Sequence, residues 1–165
     1  MTDSKPSKSE RKRAEAERQK LGEALIGLQD DLLAGLSLDE RLYDAIHDAR
    51  RMKSHEAQRR QRQYIGKLMR NVDAAPIVAL LAKLKADDRR QKRVFANAER
   101  WRDRLVSEGH HALHDFDAQT GRSNAELGAL LAELELAGSD RQESTIRRKL
   151  FRCVHETLAA CPMDG

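Results

Sequence analysis

The chain has 165 residues, a formal net charge of +4, 35% charged and only 4% aromatic side chains, with nine Gly and three Pro. That length allows one domain or two small ones sharing an element, and the mixture of Ala, Leu, Glu, Lys and Arg favours long helices over a sandwich or barrel. Two cysteines, Cys153 and Cys161, exclude a disulfide framework, and the absence of a signal-peptide core or a bilayer-length apolar run predicts a soluble, cytoplasmic protein with reduced thiols.

Residues 1–6 are expected to be a mobile N-terminal tail. Ser7-Lys8-Ser9-Glu10 has capping-box spacing and opens a first helix, with Leu21, Leu25, Leu28 and Leu32 on one face and Gly35 at its end. Ser37-Leu38-Asp39-Glu40 is a second box, and the text after it predicts a helix running to about Asn71. Asp73 can cap a third helix that tolerates Pro76 in its first turn and meets no breaker before Gly109. Residues 109–121 form a short helix or a loop. Ser123-Asn124-Ala125-Glu126 starts another helix, stopped by Gly138, and a final helix covers roughly Asp140 to Ala159. The expected division is therefore 7–108, a long-helix hairpin with an N-terminal helix, and 109–165, a C-terminal helical segment completing a second small bundle.

The apolar residues of the second and third helices come in clusters. Leu42, Tyr43, Ile46, Ala49 and Met52 form one, and Tyr64, Ile65, Leu68, Met69 and Val72 another. Ile77, Leu80, Leu81 and Leu84 are followed by Val94, Phe95, Ala98, Trp101 and Leu105. The gaps, about 53–63 and 85–93, lie at similar distances from the turn at 71–75. In an antiparallel hairpin they would face each other, giving an all-α, elongated molecule with two small apolar cores and a charged waist. The first helix is expected to complete the core near Trp101. The C-terminal pair, carrying Leu127, Leu130, Leu131, Leu134, Ile146, Leu150, Val154 and Leu158, completes a core at an end the pattern leaves open.

Catalytic signatures are absent. His110 and His114 have an i,i+4 spacing that suits a metal, but no Cys or second His pair accompanies them, and Asp115 and Asp117 resemble ordinary loop acids. Cys153 and His155 point to different helix faces, which argues against a nucleophile–base pair. Phosphate loops and dinucleotide fingerprints are missing. No enzyme activity, catalytic residue, metal, cofactor or small-molecule substrate is expected.

Charge is the stronger signal. Between Arg50 and Arg70 there are eight Lys/Arg against one acid, Glu56, and from Met52 to Tyr64 the only apolar residue is Ala57. A helix with cations around most of its circumference suits a polyanion. The candidate contacts are Lys8, Arg11, Lys12 and Arg13 at the first helix start; Arg51, Lys53, Arg59, Arg60, Arg62, Lys67 and Arg70 on the second; and Arg89, Arg90 and Arg93 on the facing gap. A further basic run is Arg147, Arg148, Lys149 and Arg152. The planar fork of arginine matches phosphate oxygens. The competing reading is that these bases neutralise the acidic segments 30–48 and 126–135 inside the fold. Single-strand readers need exposed rings, whereas Trp101, Phe95 and Phe151 lie on apolar faces and resemble core, leaving only Tyr64 in a basic run. Backbone and shape recognition of folded RNA or duplex is therefore favoured. No short helix-turn-helix pair is evident.

SKSERKR (7–13), the ALIGL-to-LDERL passage, RRMKSHEAQRRQRQYIGKLMR (50–70) followed by Asp73 and Pro76, and AERWRDRL (98–105) resemble the dual-action ribosomal maturation protein (DarP, YjgA-like) family over roughly Ser7 to Leu158. The resemblance implies two small three-helix bundles joined through a long helix. It also implies a non-enzymatic factor that binds late precursors of the bacterial large (50S) ribosomal subunit through 23S rRNA and promotes their maturation, here expected as a monomer. Two rivals stand beside it. One is a helical protein–protein adaptor working through the acidic face (Asp30 to Asp48, Glu126 to Glu135). The other is a hydrolase with a metal at His110–His114.

Overall fold

The computed structural model describes residues 7–161, so the tail expected over 1–6 lies outside the described residues. Among these residues every regular element is helical, and the protein is all-α: α1 (Lys8–Ile26), α2 (Asp30–Ala34), α3 (Glu40–Arg51), α4 (His55–Leu68) with a 3-10 turn at Met69–Asn71, α5 (Ala75–Glu108), α6 (His110–Thr120), α7 (Ala125–Glu135) and α8 (Asp140–Ala160). The chain divides into two compact units, Met1–Leu84 and Lys85–Gly165, and the division falls inside α5 rather than after residue 108.

In the first unit, α1 opens with the expected capping box: the Glu10 amide donates to Ser7 Oγ (3.2 Å) and the Ser7 amide to Glu10 Oε2 (2.6 Å). The helix stops at Ile26 rather than at Gly35. Gly27 closes it, and the short α2 turns Leu33 into the same core as Leu25. Asp39, not Ser37, caps α3, accepting from the Arg41 amide at 3.0 Å. Leu42, Ala45, Ile46 and Ala49 then recur at helical spacing on the buried face of α3.

The second long helix expected from 39 to 71 is broken. The chain leaves helical geometry at Met52 (ψ 129°) and resumes at His55 after Ser54, a favoured N-cap type. Two glutamines fix the break. Gln58 Nε2 donates to the Met52 carbonyl (2.7 Å), one of the carbonyls a helix end leaves without a partner, and Gln61 Nε2 donates to the Ala45 carbonyl (3.0 Å). α4 thus folds back along α3. The apolar gap at 53–63 is a turn followed by a first stretch of α4 that packs through carboxamides, so the single long helix expected to reach Asn71 is two helices.

α1, α3 and α4 pack on one another, and Leu25, Leu42, Ile46, Ile65 and Met69 share their core with Ile77 of α5. α1 and α4 approach through glycine. A Cβ on Gly22 would lie 2.7 Å from Ile65 Cγ2 and 3.2 Å from Met69 Cγ, whereas one on Gly66 would meet only Gln19 atoms, the nearest at 3.6 Å. Gly22→Ala should therefore force the helices apart and destabilise the protein by roughly 1–3 kcal/mol. Gly66→Ala should be neutral or stabilise by up to about 1 kcal/mol, because the helix gains alanine's propensity without a clash. Urea unfolding of the two variants checks the opposite signs.

In the second unit, Val94, Ala98, Trp101 and Leu105 of α5 recur every three or four residues and face Phe116 of α6, Leu127, Leu130 and Leu131 of α7, and Ile146, Leu150, Val154 and Leu158 of α8. The core around Trp101 is thus completed by the C-terminal helices and not by the first helix, since Leu25 is committed to the other core. This also settles which core the C-terminal pair joins. Gly109 (φ +58°) and Gly121 (φ +65°) make the turns either side of α6 in a region of φ that side chains resist. Arg104 holds the α5–α6 corner, donating to Glu108 (2.7 Å) and Asp115 (2.8 Å) with its guanidinium 4.8 Å from the Trp101 ring centre.

Candidate nucleic-acid interface

The fourteen candidate cations are all exposed, yet they differ in what they do. Lys8 and Arg11 lie in the first turn of α1, where the helix dipole disfavours positive charge by about 0.3–1 kcal/mol per residue, and Lys12 and Arg13 follow in the second. Glu10 is the only acid of that turn. A cluster of the wrong sign for helix stability is placed for an external anion better than for the fold.

On α4 the inward row is Ala57, Gln58, Gln61, Ile65 and Leu68, half-buried or buried, and the opposite surface carries Arg59, Arg60, Arg62, Gln63 and Lys67, all exposed. Arg59, Arg62 and Lys67 have no hydrogen bond or ion pair to any described residue, and Lys53 in the turn before α4 has none either. Arg60 lies 3.2 Å from Glu56, one turn back on the same helix. Arg70 is engaged more firmly. It meets the Glu15 carboxylate of α1 at 2.7 Å, and this hydrogen bond, with the attraction of the two charges, holds Glu15 below the usual carboxylate range.

The neutralisation reading holds for part of the basic run. Arg51 pairs with Asp48 at 3.2 Å, and Arg50 reaches Asp30 at 2.5 Å. Arg50 also donates through Nε to the Ile26 carbonyl (2.8 Å) and through Nη2 to the Leu28 carbonyl, so it ties the end of α1 to the end of α3. Asp30 and Asp48 thus occupy Arg50 and Arg51, while Arg59, Arg62 and Lys67 of α4 keep no acidic partner among the described residues.

Arg89, Arg90 and Arg93 belong to the second unit. Every residue of α5 from Lys85 to Arg93 is exposed. Arg90 makes one weak contact, 3.3 Å to the Ala159 carbonyl, while Arg89 and Arg93 make none among the described residues. Residues 53–63, by contrast, belong to the first unit.

Phe95 is misjudged by periodicity alone. Trp101 is buried as expected, but Phe95 is 49% exposed and Phe151 half-buried. Their own helix rows carry the signal: Phe95 precedes Glu99 and Arg102 at i+4 and i+7, and Phe151 follows Arg147 and Arg148. Tyr64, 45% exposed, does lie beside the basic surface of α4.

Among the described residues, no three His, Cys, Asp or Glu side chains approach closely enough to share a metal ion. Beside the His110–His114 pair, Asp115 is held by Arg104 and kept below its usual range by that hydrogen bond. The Cys153 thiol is pushed up to about 11 by burial and by the nearby Glu126 carboxylate, so at neutral pH it is not a thiolate. No described helix is long and apolar enough to cross a membrane.

Comparison with known proteins identifies the family. The family described as "Dual-action ribosomal maturation protein DarP" matches residues 4–155. A protein of that name from Idiomarina loihiensis is 40% identical over 154 residues, covering 92% of this chain and 90% of its own length. Those from Thiobacillus denitrificans and Nitrosomonas eutropha are 34% and 42% identical, covering 94% of this chain in each case and 88% and 89% of their own. With nearly the whole chain matched and the basic α1 and α4 segments inside the match, this protein belongs to the dual-action ribosomal maturation protein (DarP) family.

Proposed function

We propose that this protein is a cytoplasmic, non-enzymatic ribosome maturation factor that binds 23S rRNA in late precursors of the bacterial large (50S) subunit. The observation that carries the reading is the exposed, unpaired set Arg59, Arg62 and Lys67 on α4, with Lys8, Arg11, Lys12 and Arg13 on α1. The names of the relatives supply the ribosome. Guanidinium and ammonium groups spaced along a helix engage phosphates of a folded RNA without reading bases. A bound protein shifts RNA folding only by its difference in affinity for two conformers. It thus holds an immature region in one arrangement and leaves when later structure occludes the phosphates.

The test is binding of the full chain to purified 23S rRNA across a salt series. Affinity should fall steeply as salt rises, with a slope set by the number of phosphates neutralised. A flat response would favour an adaptor working through its acidic face.

A further inference from the structure

The register of α1 against α4 shows where the basic end of α1 is held. A Cβ on Gly22 would meet Ile65 and Met69, one on Gly66 would meet Gln19, and Glu15 bonds Arg70. Contacts thus move toward the start of α1 as they move toward the end of α4, so the two helices run antiparallel. α4 and its 3-10 turn end at Asn71. Glu15 is therefore the last point at which α1 is fastened to α4 and that turn, and Lys8, Arg11, Lys12 and Arg13 lie beyond it.

Residues 8–13 are all exposed, and among the described residues none of their side chains bonds another helix. The first buried residue of α1 is Gly22, which lies roughly 21 Å along the helix axis from Lys8. Helix ends fray at almost no cost in free energy, and this one carries cations where the dipole opposes them. Arg70 counters that tendency. Its Nε donates to Glu15 Oε1 and Oε2 at 3.1 and 3.3 Å, and its Nη2 to Oε1 at 2.7 Å. Two nitrogens of a planar guanidinium on one carboxylate fix orientation as well as distance. Lys8, Arg11 and Lys12 precede Glu15 at helical spacing, so they share its face and are oriented with it.

A carboxylate in this place repels phosphate, so its use must lie elsewhere. We propose that the Glu15–Arg70 ion pair fixes the basic end of α1, presenting Lys8, Arg11 and Lys12 to RNA phosphates at a set position relative to Lys67 and the other cations of α4. This rests on the reading of the chain as an RNA binder, and it makes Glu15 and Arg70 positioning residues of that surface. The cations of α1 and α4 then act together with a fixed spacing, which suits the shape of a folded RNA. The cost of ordering the basic end is met before the RNA arrives.

Glu15→Ala tests this, because the two roles of the acid predict opposite signs. Removing a mere surface carboxylate, with a gain in helix propensity, would raise affinity for 23S rRNA. Removing the tie should instead lower it about threefold at low salt. In an Arg70→Ala background the tie is already lost, so there the same substitution should raise affinity about twofold. Amide hydrogen exchange of residues 11–16 in the free protein should be about threefold faster in either single variant, while the Leu25 and Ile65 amides keep their protection. Unchanged exchange at residues 11–16, or a rise in affinity on Glu15→Ala in both backgrounds, overturns the proposal while RNA binding stands. A wild-type protein that does not bind 23S rRNA overturns the RNA reading and the positioning role with it.

Discussion

Reversing Arg59, Arg62 and Lys67 together to Glu should lower affinity for 23S rRNA on the order of 100-fold or more at low salt, and should reduce the salt slope by about three. The three side chains are exposed and pair with no described residue, so the folded protein loses nothing by their reversal. Surface substitutions of this kind stay within roughly 0.5 kcal/mol in stability. Circular dichroism and urea unfolding should accordingly match the wild type. The fall in affinity combines lost phosphate contacts with new repulsion, which is why reversal is expected to exceed truncation to Ala. If the reversed protein binds with the wild-type slope, α4 is not the contact surface.

Arg50→Ala should do the opposite. It belongs to the same basic run by sequence, but its guanidinium bonds the Ile26 and Leu28 carbonyls and Asp30. Truncation leaves those carbonyls at the end of α1 without their donor and unties α1 from α3. The expected loss is about 2–3 kcal/mol of stability, the range for hydrogen bonds from a charged donor. Urea unfolding should show a lower midpoint with an unchanged slope. RNA affinity, measured where the variant is still folded, should stay within a few-fold of the wild type. Large loss of affinity with wild-type stability would move Arg50 into the interface. Two arginines nine residues apart, Arg50 and Arg59, are thus expected to separate stability from RNA binding.

Much of this was legible before the structure. The helical class followed from composition, the α1 capping box from Ser7 and Glu10, the span of α5 from Asp73 and Gly109, and the basic surface from the Arg50–Arg70 run. The break before α4 was not legible, because Met52-Lys53-Ser54 contains neither Gly nor Pro. Tertiary contacts make it: Gln58 bonds the Met52 carbonyl just after α3, Gln61 bonds the Ala45 carbonyl within α3, and Ile65 and Met69 seek the core that Leu25 and Ile46 build. The first helix accordingly completes the core of Leu42, Ile46 and Ile65 and not the one around Trp101. The roles of Arg50 and Arg70 were hidden for a related reason. Charge patterning counts cations but does not show which ones meet a carbonyl or a carboxylate from another helix. Phe95 was misassigned by following the Val94–Ala98–Trp101–Leu105 row and overlooking that its own row continues with Glu99 and Arg102.

The proposed phosphate contacts lead to one question, whether the protein travels with ribosomal precursors. Sucrose-gradient co-sedimentation answers it most directly. The full chain should migrate with large-subunit precursors at low salt, shift to the top of the gradient at high salt, and stay at the top at low salt when Arg59, Arg62 and Lys67 are reversed to Glu. A wild-type protein that remains at the top of the low-salt gradient would contradict the account.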